Sequence, residues 1–172
     1  SYDGIVYMDF GQNVMQFEDG IEYGHYQRLT PVRPLRLYVA YAADLAESTE
    51  VLHGQLRSKY ESGDENVIKV LQEIASLAEQ GKQAIEAGDP ILLDYLINRN
   101  FDLRRSICLL HPDHVKMVEA ARGCGASAKY CGSGGAIVGC YQDESMWDSL
   151  SNDLKEIGCL LMRPHLVPQP AS

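Results

Sequence analysis

The spacing of apolar residues predicts strands at the beginning of the chain. Gly4 to Phe10 alternates small, apolar and polar residues, and Tyr26 to Val32 predicts a strand that returns beside it. Pro31 and Pro34 mark a boundary, because proline can neither donate to a strand ladder nor continue a helix. Leu35 to Tyr41, rich in leucine, tyrosine and valine, predicts a further strand.

The middle of the chain has the longer apolar period of helices, about 3.6 residues. A first helix begins at Ser48 or Thr49, either of which can cap it, and ends at Gly63. A second helix ends at Gly88. Its apolar stripe consists of Val67, Leu71, Ile74, Ala78 and Ile85. Asp89-Pro90 then provides a cap and a first-turn proline, which predicts the start of a third helix.

The third predicted helix, from Pro90 to about Leu110, carries polar residues on an apolar face. That face consists of Leu92, Leu93, Leu96, Ile97, Leu103 and Ile107. Asn100 falls near its centre and Arg104 beside it. Four polar residues, Asp94, Asn98, Asp102 and Arg105, are predicted to point away from it. A buried amide or guanidinium without a partner costs about 1–3 kcal/mol, so Asn100 and Arg104 either bond internal groups or line a pocket, unless the arginine reaches solvent.

The last third of the chain completes a mixed fold. Pro112 to Gly123 predicts a fourth helix, Glu144 to Ile157 a fifth, and Cys159 to Leu166 a final strand. The order of strands, helices, hairpin, helix and strand predicts an α+β fold, in which helices cover one face of an antiparallel sheet.

Composition and charge narrow the function classes. Of the 172 residues, 45% are hydrophobic and 23% charged, as in globular proteins. A net charge of −9 argues against nucleic acid as the main partner, because phosphate backbones demand a basic footprint. No apolar run is long enough to span a membrane and no signal peptide is evident, so we expect a cytoplasmic protein. The five cysteines form no Cys-x-x-Cys pair, and we expect buried, reduced thiols rather than metal ligands.

The candidate chemistry lies in Gly132-Ser133-Gly134-Gly135. Two apolar runs, Ala128 to Cys131 and Ala136 to Cys140, flank this tetrapeptide, which predicts a hairpin with a glycine-rich tip. Glycine lets a ligand approach the backbone, and consecutive N–H groups in such a loop form an anion-binding concavity. The loop is therefore either a phosphate or carboxylate cradle, to which Lys129 can add a positive charge, or an ordinary tight hairpin.

Four stretches of the sequence resemble the GHMP small-molecule kinases. Ala128 to Val138 is similar to their third signature motif, the glycine-rich loop of the C-terminal half. Within the superfamily, the chain resembles the plant-type glucuronokinases, which phosphorylate a sugar acid at its anomeric oxygen. Val6 to Phe10, Ser76 to Gly81 and Asn100 to Arg105 support this resemblance, and the four stretches occur in the expected order.

The resemblance implies a fold and a division into domains. It implies a ferredoxin-like antiparallel sheet covered on one face by helices, as in the C-terminal domain of GHMP kinases. Residues 1–33 would be a hairpin remaining from an N-terminal GHMP domain, residues 34–167 the C-terminal domain, and residues 168–172 a frayed tail. The chain does not begin with Met, so we expect a fragment or a processed product.

The resemblance also implies an activity and the residues that serve it. A glucuronokinase uses ATP and Mg²⁺, but the family's serine-rich nucleotide loop and catalytic aspartate do not occur in this chain. No catalytic residue is therefore expected here, and activity is expected only together with an N-terminal GHMP domain. Gly132, Ser133, Gly134, Gly135 and Lys129 would face the nucleotide phosphates. Asn100 and Arg104 would support the loop or touch the sugar carboxylate.

Departures from the family pattern leave alternatives open. The superfamily usually has Gly-Ala-Gly-Gly-Gly where this chain has Gly132 to Ala136, and Cys131 replaces a common threonine. A GHMP kinase for another sugar, such as galactose, fucose or heptose, is one alternative. Another is a non-catalytic ferredoxin-like module that binds a small anion or serves in assembly. An exposed apolar face on Gly4 to Val32 would favour the kinase half, whereas a core complete without that segment would favour the module.

Overall fold

The computed structural model describes residues 4–42, 56–132 and 134–165. The described strands are β1 (Ile5–Asp9), β2 (Gln16–Glu18), β3 (Ile21–Tyr23), β4 (His25–Leu29), β5 (Leu37–Tyr41), β6 (Lys129–Tyr130), β7 (Ala136–Cys140) and β8 (Leu160–Met162). The helices are α1 (Glu65–Ala87), α2 (Pro90–Ile107), α3 (Pro112–Gly123) and α4 (Glu144–Glu156). Residues 56–61 are also helical. The start predicted for that helix, at Ser48 or Thr49, lies outside the described residues.

The main sheet is antiparallel and has the order β6-β7-β5-β8. Tyr38 on β5 is opposite Gly139 on β7, and Tyr130 on β6 is opposite Ile137. One face of this sheet forms a core with α3 and α4. Its fully buried members include Tyr38, Ala40, Met117, Val118, Ile137, Leu150 and Leu154. The predicted α+β class, with helices against an antiparallel sheet, is confirmed. None of the helices in the described part of the chain is both long and apolar enough to cross a membrane.

The helices α1 and α2 form a second apolar cluster, which meets the sheet at Leu37 and Cys140. The predicted helix ends are confirmed: Gly88 ends α1 with φ +66°, and the Asp89 side chain accepts a hydrogen bond from the Leu92 backbone at 3.0 Å. The predicted stripe on α1 is partly wrong. Val67 is buried and Leu71, Ile74 and Ile85 pack against the same cluster, as predicted, but Ala78 is exposed, and the other buried positions are Val70, Leu77 and Ala84.

The first part of the chain forms a separate antiparallel ribbon. The strand β1 pairs with β4, as Ile5 opposite Leu29, which confirms the predicted returning strand. Between them, β2 and β3 form a short hairpin that the sequence did not predict, because three-residue strands give too little alternation. Leu29 is buried, and Lys82 of α1 lies over the Tyr7 ring at 5.1 Å, so the ribbon contacts α1. The division at residue 33 stays a prediction.

Candidate functional site

The glycine-rich loop is the predicted hairpin tip between β6 and β7. The Cys131 N–H donates to the Ala136 carbonyl at 3.0 Å, which closes the hairpin below the tip. Within the tip, Gly134 has φ +154° and Gly135 has φ +73°, and side-chain-bearing residues rarely adopt either value. Ser133, the non-glycine member of the tetrapeptide, lies outside the described residues.

The carbonyl groups of Gly132 and Gly135 both face donors of the protein. Arg104 donates from Nη1 to the Gly132 oxygen at 2.6 Å, and the Ala42 N–H donates to the Gly135 oxygen at 3.0 Å. A carbonyl aimed at an anion would repel it, so these two contacts remove a repulsive dipole from each end of the loop. The loop is therefore suited to a negatively charged ligand.

Beneath the loop lies an aromatic floor, which we define as His114, Tyr130 and Phe101. The rings of His114 and Tyr130 are 6.0 Å apart and perpendicular, and the rings of Tyr130 and Phe101 are 5.1 Å apart. All three side chains are buried. The Arg104 guanidinium lies 5.6 Å from the Tyr130 ring centre, so this residue contacts both the loop and its floor.

Lys129 and Arg104 place two cations beside the loop of an acidic chain. Lys129 is half-buried and donates from Nζ to the Tyr130 carbonyl at 3.1 Å. Burial lowers the pKa of Lys129, and the charge of Arg104 lowers it further, while Cys131 opposes the shift. An ammonium group that is poorly solvated in this way gains more from an anionic ligand than an exposed lysine does.

A polar stripe on α2 holds the chain that leads into the hairpin. Ser127 donates from its hydroxyl to Asp94 Oδ1 at 2.6 Å, and the Ala128 N–H donates to Asn98 Oδ1 at 3.0 Å. Burial raises the pKa of Asp94, and the hydrogen bond from Ser127 opposes this shift. Asp94 and Asn98 lie away from the apolar face of Leu93 and Leu96, as predicted, but they bind the chain before β6 instead of facing solvent. Their spacing with Phe101, at i, i+4 and i+7, marked a second inward face that sequence reasoning missed.

Arg122, which the sequence analysis also missed, joins α3 to α2. Its Nη1 donates to Asp102 Oδ1 at 2.7 Å and its Nη2 to the Asn98 carbonyl at 2.8 Å. The guanidinium also lies 5.1 Å from the ring centre of Phe101. Arg122 thus fixes the two helices on which the aromatic floor depends.

The two residues predicted to support the loop differ in their contacts. Arg104 contacts the loop, whereas Asn100 is half-buried and its side chain makes no hydrogen bond within the described residues. His53, which the sequence analysis did not assign to the site, lies outside those residues. Across the described ranges, no group of three or more His, Cys, Asp and Glu side chains is arranged to hold a metal ion.

Comparison with known proteins finds relatives among the plant glucuronokinases. No protein-family model matches the chain. The chain is 38% identical over 169 residues to the probable glucuronokinase 2 of Arabidopsis thaliana, a match that covers 96% of this chain and 45% of that protein. The chain thus spans about half the length of the curated relatives it matches, 45% and 46% of them.

Solved structures share the fold. The Leishmania major mevalonate kinase, solved with R-mevalonate, superposes with a TM-score of 0.73 at 20% identity, over 87% of this chain and 47% of that one. The chain matches a C-terminal part of the GHMP kinases. The Streptococcus pneumoniae phosphomevalonate kinase, solved with phosphomevalonate and AMPPNP, gives a TM-score of 0.67 at 14% identity, over 83% of this chain and 43% of that one. At these identities, the two GHMP kinase structures support the fold of this chain rather than its substrate.

Proposed function

We propose that this chain supplies the glycine-loop half of an ATP-dependent kinase that phosphorylates glucuronate at its anomeric oxygen. The observation that carries the proposal is the geometry of the loop. The carbonyls of Gly132 and Gly135 face protein donors, and the cations Arg104 and Lys129 lie beside the tip. Such a loop is suited to the phosphates of a nucleotide, and the names of the curated relatives support glucuronate as the acceptor.

In this proposal the loop stabilises charge rather than forming bonds. Phosphoryl transfer depends on positioning and on neutralising the oxygens of the transferred group. The amide groups of Gly134 and Gly135 would face those oxygens, and Lys129 would add a positive charge. Arg104 would hold Gly132, and its remaining N–H groups are available to the sugar carboxylate. Mg²⁺ would be held by residues outside this chain and would supply positive charge that offsets the charge of the nucleotide phosphates.

The apolar surface of the β1–β4 ribbon supports pairing with an N-terminal GHMP domain. Five large apolar side chains of this segment are exposed. They are Met8, Phe10, Phe17, Ile21 and Val32. Large apolar side chains exposed in this number within one segment are typical of an interaction site. We therefore propose that the ribbon contacts the other half of the kinase, and that the chain alone is inactive. A cytoplasmic location stays a prediction from the sequence.

One observation favours a non-catalytic anion-binding module instead. Among the described residues, the buried members of the core under the main sheet lie between Tyr38 and Cys159, and none of them comes from the first ribbon. This core is complete without the segment that would join another domain. A module of this kind would bind a small anion at the loop without transferring a phosphoryl group.

A chimera distinguishes the kinase from the non-catalytic module. We would join this chain to the part of the A. thaliana glucuronokinase that it does not match, and measure ADP release with ATP, Mg²⁺ and glucuronate. We expect turnover that requires both parts and is lost in Gly134→Val. Turnover with galactose but not glucuronate would favour another sugar. A chimera with native circular dichroism and no turnover on any sugar would favour the non-catalytic module.

A further inference from the structure

We propose that His114 is a positioning residue, which holds the glycine-rich loop in its anion-binding shape; this inference rests on the proposed function of that loop. None of the four stretches that resemble the GHMP kinases includes His114. The residue lies in the first turn of α3, between the family motif Asn100 to Arg105 on α2 and the loop that begins at Gly132, and belongs to neither.

The contact between Gly134 and His114 leaves no room for a side chain. A Cβ atom at Gly134 would lie 2.4 Å from His114 Nδ1 and 2.8 Å from Cε1, closer than real Cβ atoms approach other atoms. The backbone of Gly134 therefore rests directly on the imidazole ring. Because Gly134 also has φ +154°, both its conformation and its position require a glycine at this point.

The ring of His114 cannot move away from this contact. Its side chain is 1% exposed, and its ring packs against Tyr130 at 6.0 Å and against His111 at 5.1 Å. His111 caps α3, since its Nδ1 accepts a hydrogen bond from the Asp113 N–H at 3.2 Å. The position of the ring is thus set by the start of α3 and by the first strand of the hairpin.

Two contacts then hold the loop from different elements. Arg104 of α2 binds the Gly132 carbonyl, and His114 of α3 supports Gly134 two residues later. With both ends of this segment fixed, the loop pays little ordering cost when an anion binds.

The test compares His114→Ala with Val118→Ala in the 172-residue chain. Both side chains are buried on α3, but the Val118 contacts lie in the main core. Hydrogen exchange is measured on a peptide covering residues 131–136, and affinity is measured with a fluorescent ATP analogue and Mg²⁺. We expect His114→Ala to speed exchange in that peptide and to weaken nucleotide binding by about tenfold, a typical effect of misplacing a binding group. Val118→Ala should lower the Tm without either selective effect.

Two further variants keep the outcome clear if His114→Ala is poorly stable. His114→Phe retains a flat ring and should preserve most of the loop protection. In Gly134→Ala, the new Cβ collides with the ring, so its effect on exchange should be smaller in the His114→Ala background. The proposal would be overturned if Gly134→Ala speeded exchange equally in the wild-type and His114→Ala proteins. It would also be overturned if His114→Ala and Val118→Ala had the same exchange in the loop peptide.

The result also distinguishes this inference from the proposed kinase function. Selective loosening of the loop by His114→Ala supports the positioning role even if the wild-type chain binds no nucleotide, an outcome that would count against the kinase. Nucleotide binding by the wild type that is unchanged in His114→Ala overturns the positioning role and leaves the kinase proposal standing.

Discussion

Gly139 shows how closely backbones approach each other beside the site. A Cβ atom at this position would lie 1.6 Å from the Ser127 carbonyl oxygen and 2.6 Å from its carbon. The same oxygen accepts a hydrogen bond from the Tyr38 hydroxyl at 2.8 Å, so Ser127 is held in place. The segment that leads into the hairpin can cross β7 only where a residue has no side chain.

We therefore expect Gly139→Ala to lower the free energy of unfolding by about 3 kcal/mol, since neither backbone can retreat without breaking the Tyr38 contact. Urea denaturation measures the change. Gly81→Ala is the matched control, because nothing lies within 4 Å of a Cβ at that position on α1. The control should stabilise the protein by about 0.5–1 kcal/mol. A Gly139→Ala variant as stable as the wild type would show that the crossing is not tight.

Lys129 should favour ligand binding at the expense of stability. Burial lowers its pKa in the folded state, so the charged form destabilises the fold. This cost is absent above the pKa of the unfolded chain, about 10.4, and is fully present once the pH has fallen below the lowered folded value. At neutral pH the charged side chain is therefore a net cost. Replacing it with an apolar residue removes that cost.

We expect Lys129→Met to raise the free energy of unfolding at neutral pH, and this gain to shrink as pH rises towards about 10. Nucleotide affinity should fall by about tenfold through the loss of one charged contact. Urea denaturation across pH and titration with a fluorescent ATP analogue measure the two effects. Lys69→Met, at an exposed position of α1, should change neither. Lower stability of Lys129→Met at neutral pH would contradict the burial argument.

At the scale of elements, α2 has two inward faces rather than one. Leu93, Leu96 and Leu103 pack towards α1, whereas Phe101 belongs to the core under the main sheet. The polar side chains of Asp94 and Asn98 lie on the second face and bind the chain before β6. The helix therefore connects the two apolar clusters and carries Arg104 to the loop.

Arg122 should stabilise this arrangement far more than its neighbour Arg105. Arg122 is 27% exposed and binds both Asp102 and backbone carbonyls, whereas Arg105 is 54% exposed and pairs with Glu119 at 3.2 Å. Both pairs join α2 to α3. We expect Arg122→Met to cost about 2–3 kcal/mol in urea denaturation, and Arg105→Met at most about 0.5 kcal/mol. Equal effects would mean that the buried contacts of Arg122 add nothing beyond a surface ion pair.

The sequence predicted the elements better than their contacts. The caps and glycines that end α1 and begin α2 are local signals, and so is the glycine-rich tip, so their positions follow from a few neighbouring residues. Asp94 and Asn98 face inward because they bind a backbone segment about thirty residues away. A polar stripe that binds such a segment has the same residue spacing as a polar stripe that faces solvent, so the sequence does not distinguish the two. The support of Gly134 by His114 has no local signal at all.

At the scale of the whole molecule, the exposed apolar side chains of the β1–β4 ribbon should be affected most when the chain is separated from the other half of a kinase. Phe17 is 74% exposed and Ile21 is 67% exposed, both on the β2–β3 hairpin. A globular chain that exposes several large apolar side chains in one segment tends to associate through them. In a complete kinase, we expect another domain to cover them.

We expect the isolated chain to self-associate as its concentration rises, and Phe17→Gln combined with Ile21→Gln to reduce this association without lowering the Tm. Size-exclusion chromatography with light scattering measures the mass. Leu109→Gln, at an exposed leucine away from the ribbon, is the control and should leave the association unchanged. If all three proteins have the same mass at every concentration, the ribbon is not an interaction surface.

The decisive measurement is the response of the loop's own amides to nucleotide. In the chimera with the A. thaliana glucuronokinase part, this chain would carry ¹⁵N-labelled glycine, and the spectrum would be recorded with and without AMPPNP and Mg²⁺. We expect the resonances of Gly134 and Gly135 to shift far more than that of Gly81 on α1, and less so in Arg104→Ala. Nucleotide binding that leaves the Gly134 and Gly135 resonances unmoved would contradict the assignment of this loop to the phosphates.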